Sequence, residues 1–474
     1  MSRTTRPTLG TLPAEILYLI ARFLNVASLN SLLQTCQRFH WLFDSLLYEQ
    51  GRKYINLSNG GTPLIWAVQH NRTTVLKRLL KGDTWPSDNQ NGTTALHQAV
   101  SLDNYEALKI LIASEADLLI LDSNSDTPLD LAASINNERA TQLLIDTNLS
   151  ATPWPQFERR WQQALAKAVR AQHEPVARLL LECTTTSAPR RLVSDMANMI
   201  MYHIAASHGH CGIIRLLCEY GATPARSPAG SRTLLHPTAR NGHVDAMKLA
   251  LELGADPLML DTDGMSALHL AAEAGHLSAM DVLLDAGVPV DILATGGSTP
   301  LLSAAMGGHE PAAKLLLDRG ADPRKRNTVG FNALDLTIPK HPPPALVALL
   351  LASGTDVSPP ESEIRMTPLH WAARTGQCDT LALLLRAGAP IHRVDQRGRT
   401  GLHLAVREGH GDAVGVLLEE GADPNVLDET DCTPLDLARL SGCEEMADRL
   451  VRAGAVVKVF DLGDILRETG KLES

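Results

Sequence analysis

A unit of about 33 residues recurs along most of this chain and constrains its fold more than any other feature. Each copy opens with Thr-Pro-Leu-His-x-Ala or a close variant. A sequence that repeats at this period folds as stacked supersecondary units, so its length does not predict several independent globular domains. The openings begin at Thr62, Thr94, Thr127, Thr233, Ser266, Thr299, Asn332, Thr367, Thr400 and Thr433, and degenerate copies lie around residues 164–168 and 200–205. The sequence therefore predicts about twelve units.

The opening of each unit predicts the start of a short helix. Thr can accept hydrogen bonds from the exposed N–H groups of the first turn, and Pro fits the first helical position, where no N–H is needed. Leu and Ala then recur at helical spacing, as in Leu268, Ala271 and Ala272, and small residues let neighbouring helices approach closely. A Gly-His step such as Gly275-His276 ends this helix, because Gly readily adopts the left-handed conformation.

A second helix with a stripe of leucines follows the Gly-His step. Leu315–Leu317 is one such stripe, and the helix stops at Gly-Ala-Asp-Pro or a relative of it, where Pro blocks further helix. The next stretch, such as Leu258–Gly264, has the Asp and Gly content of an exposed hairpin tip. Each unit is therefore predicted to run helix, turn, helix, hairpin. An isolated unit has no surface on which to bury its leucines, so stability must be shared between neighbours.

These motifs resemble the ankyrin repeat over about residues 58–457, with degenerate stretches near 150–205 and 331–360. The resemblance implies an all-α solenoid of about twelve helix-turn-helix units with short β-hairpin tips. It also implies a concave face, made by first helices and hairpin tips, on which protein partners bind.

Hairpin tips are where we expect partner contacts, because an exposed tip is the least structurally constrained part of a unit. The tip residues predicted to contact a partner are Trp85, Met259, Arg326, Arg365 and Arg393.

The first fifty residues carry a different pattern. Residues 12–24 are predicted to form an amphipathic helix with Pro near its start, and a second apolar pattern spans residues 29–42. This segment resembles the F-box, although Arg38 lies one position later than the basic residue of that family and Tyr48 replaces the commoner Trp. The resemblance implies docking on a Skp-family adaptor of a cullin ubiquitin ligase. The residues that match the docking pattern are Leu12, Pro13, Glu15, Ile16, Ile20, Leu24, Leu32, Cys36 and Phe39.

A second interpretation of the same helices is that they cap the leucine face of the first repeat, as a terminal unit of an array must. The Leu-Pro-x-Glu opening favours the F-box, since a plain cap does not need it. The expected organisation is therefore a disordered tail over 1–11, an F-box-like helical domain over 12–50, ankyrin repeats over 58–457 and a C-terminal cap or tail over 458–474. The combination resembles F-box/ankyrin proteins of the fungal type. It predicts a substrate-recognition subunit that holds an unknown protein substrate on the concave face, with a ligase-independent scaffold as the alternative.

Charge and cysteine content narrow the partners and the compartment. The net charge of −10, from 43 basic and 53 acidic residues, argues against a nucleic-acid partner. The seven cysteines are odd in number and contain no Cys-x-x-Cys pair, so they predict neither a zinc site nor a disulfide framework. No stretch approaches the roughly 18 apolar residues of a membrane span. We expect a monomer without a cofactor, located in the cytoplasm, the nucleus or both.

The seventeen histidines mostly recur once per unit. A side chain that recurs in this way is expected to serve the unit, for instance by bonding to neighbouring backbone, so we predict neither a metal site, nor catalytic residues, nor an enzyme. Six of them occupy the repeat opening, at 97, 203, 236, 269, 370 and 403, and five follow the turn glycine, at 210, 243, 276, 309 and 410.

Three stretches depart from the repeat pattern. The aromatics Trp154, Phe157 and Trp161 concentrate in one degenerate unit, where they either plug a seam in the array or contact a partner. Residues Cys183–Ser194 are expected to form a solvated loop. The proline-rich run Ile338–Pro344 is expected to cut short the first helix of the ninth unit.

Overall fold

The computed structural model describes residues 63–81, 89–90, 93–151, 154–187, 198–222, 233–357 and 366–456. The predicted tail, the F-box-like segment 12–50 and the C-terminal segment 458–474 lie outside these residues. The chain divides into two compact parts, which we call the N-terminal body (residues 1–205 and 210–223) and the C-terminal body (206–209 and 224–474). In both, the described chain is dominated by short helices that follow one another in pairs.

Each pair consists of a first helix, which carries an odd number here, and a second helix, which carries the next even number. From residue 63 to residue 222 the helices are α1 Pro63–Gln69, α2 Thr73–Leu79, α3 Ala95–Ser101, α4 Tyr105–Ala113, α5 Pro128–Ser134, α6 Glu138–Ala151, α7 Trp154–Arg170, α8 Glu174–Ser187, α9 Asn198–Ser207 and α10 Cys211–Glu219.

The C-terminal body continues the same alternation. Its helices after residue 224 are α11 Leu235–Arg240, α12 Val244–Glu252, α13 Ala267–Ala274, α14 Leu277–Asp285, α15 Pro300–Gly307, α16 Glu310–Asp318, α17 Ala333–Thr337, the 3₁₀ turn η1 Ile338–Lys340, α18 Pro344–Ala352, α19 Pro368–Arg374, α20 Cys378–Arg386, α21 Gly401–Arg407, α22 Gly411–Glu419, α23 Pro434–Leu440 and α24 Glu444–Arg452.

First helices begin where the repeat motif predicts, because the motif supplies a complete N-terminal cap. Before α5, the Thr127 hydroxyl accepts the Asp130 N–H at 3.2 Å, and the Asp130 carboxylate accepts the Thr127 N–H at 2.8 Å. Pro128 occupies the first helical turn, where its missing N–H costs nothing. The same reciprocal cap precedes α13, α17, α19, α21 and α23.

Hairpin tips form β-ladders only in part. Strand β1 (Asn89–Gln90) pairs antiparallel with β2 (Thr93–Thr94), and a single bridge joins Leu260 to Ser266. The other described tips are turns rather than strands, so the prediction of β-hairpins at every tip is wrong for them. In four of these turns an Asp or Asn side chain accepts two backbone N–H groups. The accepting residues are Asp122, Asn327, Asp395 and Asp428. Asp261 makes the same two bonds in the tip that contains the bridge.

Neighbouring pairs pack first helix against first helix and second helix against second helix within each body. Leu268 on α13 and Leu316 on α16 are both fully buried in these contacts. Turn glycines allow the close approach: Gly275 has φ +75°, and a Cβ there would lie 2.7 Å from the ring of His309 in the next repeat. The helix-turn-helix stacking predicted from the leucine stripe is therefore confirmed within the described residues.

The degenerate pair α7–α8 differs most from its neighbours. Trp161 is fully buried, and its Nε1 donates to the Leu180 carbonyl at 2.7 Å, so this aromatic plugs the core. The side chains of Trp154 and Phe157 lie outside the description. Helix α8 runs on to Ser187 with Cys183 buried, so the predicted loop from Cys183 is wrong over its first turn.

The proline-rich ninth unit is short, as predicted. Helix α17 ends at Thr337 after 5 residues, and the chain continues as the 3₁₀ turn η1. His341 then takes a left-handed conformation with φ 57°, the role that glycine has in the neighbouring repeats.

Candidate interaction surface

Five of the six histidines of the repeat opening bond to the following repeat. His269 Nε2 lies 2.9 Å from the carbonyl of Ser298 in the next repeat, so this nitrogen must carry the proton. Its Nδ1 accepts from the Ser266 hydroxyl at 2.8 Å, which completes the cap of α13. Equivalent pairs of bonds are made by His97, His236, His370 and His403.

Burial keeps these imidazoles neutral. It lowers the pKa of all five below the ordinary value of 6.5, and nearby backbone carbonyls and carboxylates offset the shift only in part. A second ring proton would point at the capping hydroxyl and backbone N–H, which are themselves donors toward Nδ1. These histidines therefore serve the repeat, as their periodicity predicted, and do not face an open site.

Side chains in the turn between the two helices bond backward to the preceding repeat. His410 Nε2 donates to the Arg374 carbonyl at 3.1 Å. Where the turn lacks His, another donor takes over, as when Gln377 Nε2 donates to the Ile338 carbonyl at 2.8 Å. The Gly-His step was predicted from the sequence, but the replacement of this histidine by Asn, Gln or Lys was not.

The predicted partner contacts at the hairpin tips lie apart from one another. Trp85 and Arg365 fall outside the described residues. Met259 is half-buried and Arg393 is exposed, and they belong to the tips of different repeats, as does Arg326. No described contact joins the three, so they do not form one cluster.

Arg326 is a structural arginine. Its guanidinium donates to the Gly330 carbonyl at 2.8 Å and pairs with Asp356 at 3.2 Å and with the buried Asp335 at 3.4 Å. Burial raises the pKa of Asp335 to about 6, although the Asn332 N–H and Arg326 act in the opposite direction. The premise that tip side chains are unconstrained is thus wrong for Arg326, and its contact with a partner stays a prediction.

An open pocket of about 280 Å³ lies on the C-terminal body where sequence reasoning named no site. It is formed by the C-terminal ends of the first helices α19 and α21 and by the tip that precedes α21. This is the combination of elements on which ankyrin partners are expected. The lining residues are Arg374, Arg397, Arg399, Leu404, Arg407 and Glu408.

Two of the pocket arginines are held by neighbours. Arg399 donates from Nε at 2.9 Å and from Nη2 at 2.7 Å to one oxygen of Asp395. Burial alone would raise the pKa of that carboxyl, but hydrogen bonds from Arg399 and from backbone N–H groups outweigh it and lower the pKa. Arg374 lies over the ring of Trp371 at 5.3 Å from its centroid and 4.0 Å from Glu408.

The remaining two arginines, Arg397 and Arg407, are exposed, and the described structure gives their guanidinium groups no ion pair. Of the four guanidinium groups at the pocket, Arg399 is thus paired with Asp395 and Arg374 lies near Glu408, which leaves two positive charges without a carboxylate partner in the described structure. A signal was available in the sequence: Arg374 and Arg407 occupy the same position of consecutive repeats, so stacking brings them together.

Metal binding and membrane insertion find no support in the described part of the chain. No group of three or more His, Cys, Asp or Glu residues there could hold a metal ion. None of the helices described is both long and apolar enough to cross a bilayer.

Comparison with known proteins identifies the repeat. The family model for ankyrin repeats (3 copies) matches residues 27–122, 235–327, 340–428 and 369–461, more than half of the chain. The ankyrin repeat-containing protein P1E11.10 of Schizosaccharomyces pombe is 39% identical over 93 residues, which are 19% of this chain and 44% of that protein. The chain thus aligns with less than half of that relative's length. No F-box domain is detected. The helix pairs, their reciprocal caps and the family match together show that this chain belongs to the ankyrin-repeat family.

Proposed function

We propose that this protein is the substrate-recognition subunit of a Skp-cullin-F-box ubiquitin ligase and holds its substrate on the first helices and hairpin tips of the ankyrin repeats. The scaffold part of the proposal follows from family membership, since ankyrin repeats indicate protein-protein interaction. The observation that carries it is the arginine-lined pocket, because Arg397 and Arg407 are exposed there and the described structure gives them no ion pair.

The repeat count is part of the proposal. We assign one ankyrin repeat to each described helix pair from α1–α2 to α23–α24, which gives twelve, with α7–α8 and α9–α10 as the degenerate ones. The recurrence of helix pairs supports this count even where the Thr-Pro-Leu-His motif is missing. No catalytic role is included, because recognition requires only binding.

The ligase part rests on the sequence of residues 12–50. The Leu-Pro-x-Glu opening and the spacing of Ile16, Ile20, Leu24, Leu32 and Phe39 support it. It implies a Skp-family adaptor and a cullin as partners. The net charge and the cysteine pattern support a monomeric protein of the cytoplasm or nucleus that binds no nucleic acid.

A second candidate is a ligase-independent ankyrin scaffold whose N-terminal helices cap the first repeat. The ankyrin match favours it, because that match begins at residue 27, inside the F-box-like segment. Terminal repeats need a cap with a polar outer face, and degenerate repeats often supply one.

Adaptor binding by the purified full-length chain separates the two candidates. We expect a purified Skp-family adaptor to co-elute with the intact protein and not with a Leu12→Ala, Pro13→Ala double variant. Leu17→Ala is the matched control, because Leu17 is an apolar neighbour within the same predicted helix and the F-box pattern does not use it. If the intact chain binds no Skp adaptor, the ligase role is rejected and the capped scaffold remains.

A further inference from the structure

The four pocket arginines occur together in one pair of repeats. Arg374 and Arg407 both lie seven residues after the Thr that opens their repeat. One other repeat has arginine there, Arg240, and others have Glu273, Met306 and Leu440. The repeat architecture therefore does not require arginine there.

The tip positions vary in the same way. Arg397 and Arg399 lie three and one residues before Thr400, where the tips before Ser266, Thr299 and Thr433 carry no basic residue, although Arg232 lies one residue before Thr233. The corresponding pairs are Asp263 and Met265, Gly296 and Ser298, and Thr430 and Cys432. Four arginines at four freely variable positions converge on one pocket, which a stacking role does not explain.

The pocket combines fixed and free donors. Asp395 orients Arg399, and Trp371 supports Arg374, so these two guanidinium groups lose little side-chain entropy when they bind an anion. Arg397 and Arg407 are exposed and repel each other and their neighbours while no anion is present. Carboxylates suit this arrangement, because the planar guanidinium matches their geometry with two parallel hydrogen bonds.

The surroundings favour a short acidic protein segment over a nucleic acid. The next tip carries exposed Glu429 and Asp431, so a phosphate backbone that continued past the pocket would meet negative charge. A volume of about 280 Å³ holds a few side chains rather than an extended strand. The net charge of −10 also opposes nonspecific attraction of nucleic acids.

We propose that the pocket of Arg374, Arg397, Arg399 and Arg407 binds a short run of aspartate or glutamate residues in a protein partner. This rests on the proposed scaffold function and names the chemistry of its partner, but it does not depend on the Skp adaptor. Carboxylates of the partner pair with Arg397 and Arg407, while Arg399 and Arg374 supply oriented donors at the sides of the pocket.

Fluorescence anisotropy with the full-length protein tests this pocket. The probes are a labelled peptide with five consecutive Glu residues between Gly-Ser flanks and the same peptide with Gln for Glu. We expect the Glu peptide alone to bind, and an Arg397→Glu, Arg407→Glu variant to weaken binding by at least about tenfold. Added salt weakens the interaction too, because the charges are exposed.

An Arg386→Glu, Arg452→Glu variant is the matched control. It makes the same charge change at exposed ends of the second helices α20 and α24. We expect it to bind the Glu peptide within about twofold of the unmodified protein, since both positions are outside the pocket lining. Thermal melting of both variants verifies that they are folded.

Three outcomes overturn the proposal: no binding of the Glu peptide, equal weakening in both variants, or tighter binding of a labelled single-stranded RNA oligonucleotide that is lost in the Arg397→Glu, Arg407→Glu variant. Adaptor co-elution is measured on the same preparations. A protein that retains its adaptor but binds no acidic peptide rejects the pocket and leaves the proposed ligase role intact.

Discussion

Different contacts fix the first helix of the pair α7–α8 and the first helix of the pair α13–α14. Helix α13 starts at a reciprocal cap between Ser266 and His269, and that histidine also bonds to the following repeat. Helix α7 has no such motif and is 17 residues long, against 5 to 10 residues in the other described first helices. Its fixed point is instead Trp161, bonded to the carbonyl of Leu180 on α8. A repeat can therefore lose its opening motif when one large buried side chain joins its two helices.

The backward bond survives in both pairs. His173 Nδ1, in the turn of the degenerate pair, donates to the Ala133 carbonyl of the preceding repeat at 2.9 Å. Lys167 on α7 also pairs with Asp126 in the tip before α5. The contacts between repeats are thus more persistent than the sequence motif that begins each helix.

The largest loss of stability is expected when Trp161, which fills the core between α7 and α8, is replaced. We expect Trp161→Ala to lower the free energy of unfolding of the N-terminal body by about 3–5 kcal/mol, because it leaves a large cavity between α7 and α8. Urea unfolding followed by hydrogen exchange in α7 and α8 measures it. Trp161→Phe is the control that keeps most of the volume and removes only the N–H donor. If Trp161→Ala unfolds like the unmodified protein, Trp161 does not hold α7 and α8 together, and the contrast drawn with α13–α14 is wrong.

A regular repeat should lose somewhat less from a comparable truncation. We expect Leu316→Ala on α16 to cost about 2–5 kcal/mol, because Leu316 is 0% exposed among the second helices. Thermal melting monitors the change. Leu277→Ala is the control, since Leu277 is a helical leucine of the neighbouring repeat that is 39% exposed. Equal melting temperatures for the two variants would contradict the stacking of second helices.

Two turn glycines allow the cost of backbone strain to be measured separately from the cost of a steric clash. Gly275 and Gly287 both have positive φ, but a Cβ at Gly275 would clash with His309, whereas one at Gly287 meets nothing within 4 Å. We expect Gly287→Ala to cost about 1 kcal/mol and Gly275→Ala about 2–3 kcal/mol, since only the second adds a clash with a ring to the strain. Urea midpoints of the two variants give the difference. Similar midpoints would show that the His309 ring moves aside freely.

The sequence predicted the features that follow from local residue chemistry and missed those that depend on packing. Caps at Thr127 and Ser266 follow from capping residues repeated at a constant period. The early end of α17 occurs in one repeat, but it follows from the local effect of Pro339 on a helix. In contrast, the buried position of Cys183 depends on how far α8 extends, which its Thr-rich sequence does not indicate.

The candidate site was harder to predict than the fold. Arg326 looked like an exposed tip residue, but its partner Asp356 lies 30 residues later in the chain and could not be inferred from local sequence. The arginine pocket joins side chains from two repeats and an intervening tip. It becomes visible only when consecutive repeats are superimposed in register, because Arg374 and Arg407 then share one column.

Acid should weaken the regular repeats before the degenerate pair. Five of the repeat-opening histidines have a pKa below 6.5 in the folded chain and near 6.5 when unfolded, so between these values the unfolded chain binds more protons. The stabilisation by these neutral histidines is therefore complete at pH values above their unfolded pKa. It is lost as the pH falls from that value toward the lower pKa of the folded chain. Asp335, with its pKa raised to about 6, acts oppositely, because the folded chain takes up its proton first. The histidine effect should thus dominate from pH 7 to about 6.

Hydrogen exchange at pH 7.5 and pH 6.2 measures this difference within one molecule. After correction for the intrinsic effect of pH on exchange, we expect protection to fall in α13, α19 and α21, whose caps contain His269, His370 and His403, and to change less in α7 and α8. His269→Gln is the variant that removes one titrating ring, so it should reduce the pH dependence of α13 while lowering its protection at pH 7.5. Equal losses of protection in α7 and α13 would show that the imidazoles are not the source of the acid sensitivity. In that case the distinction between the motif-capped pair and the tryptophan-plugged pair would concern packing alone.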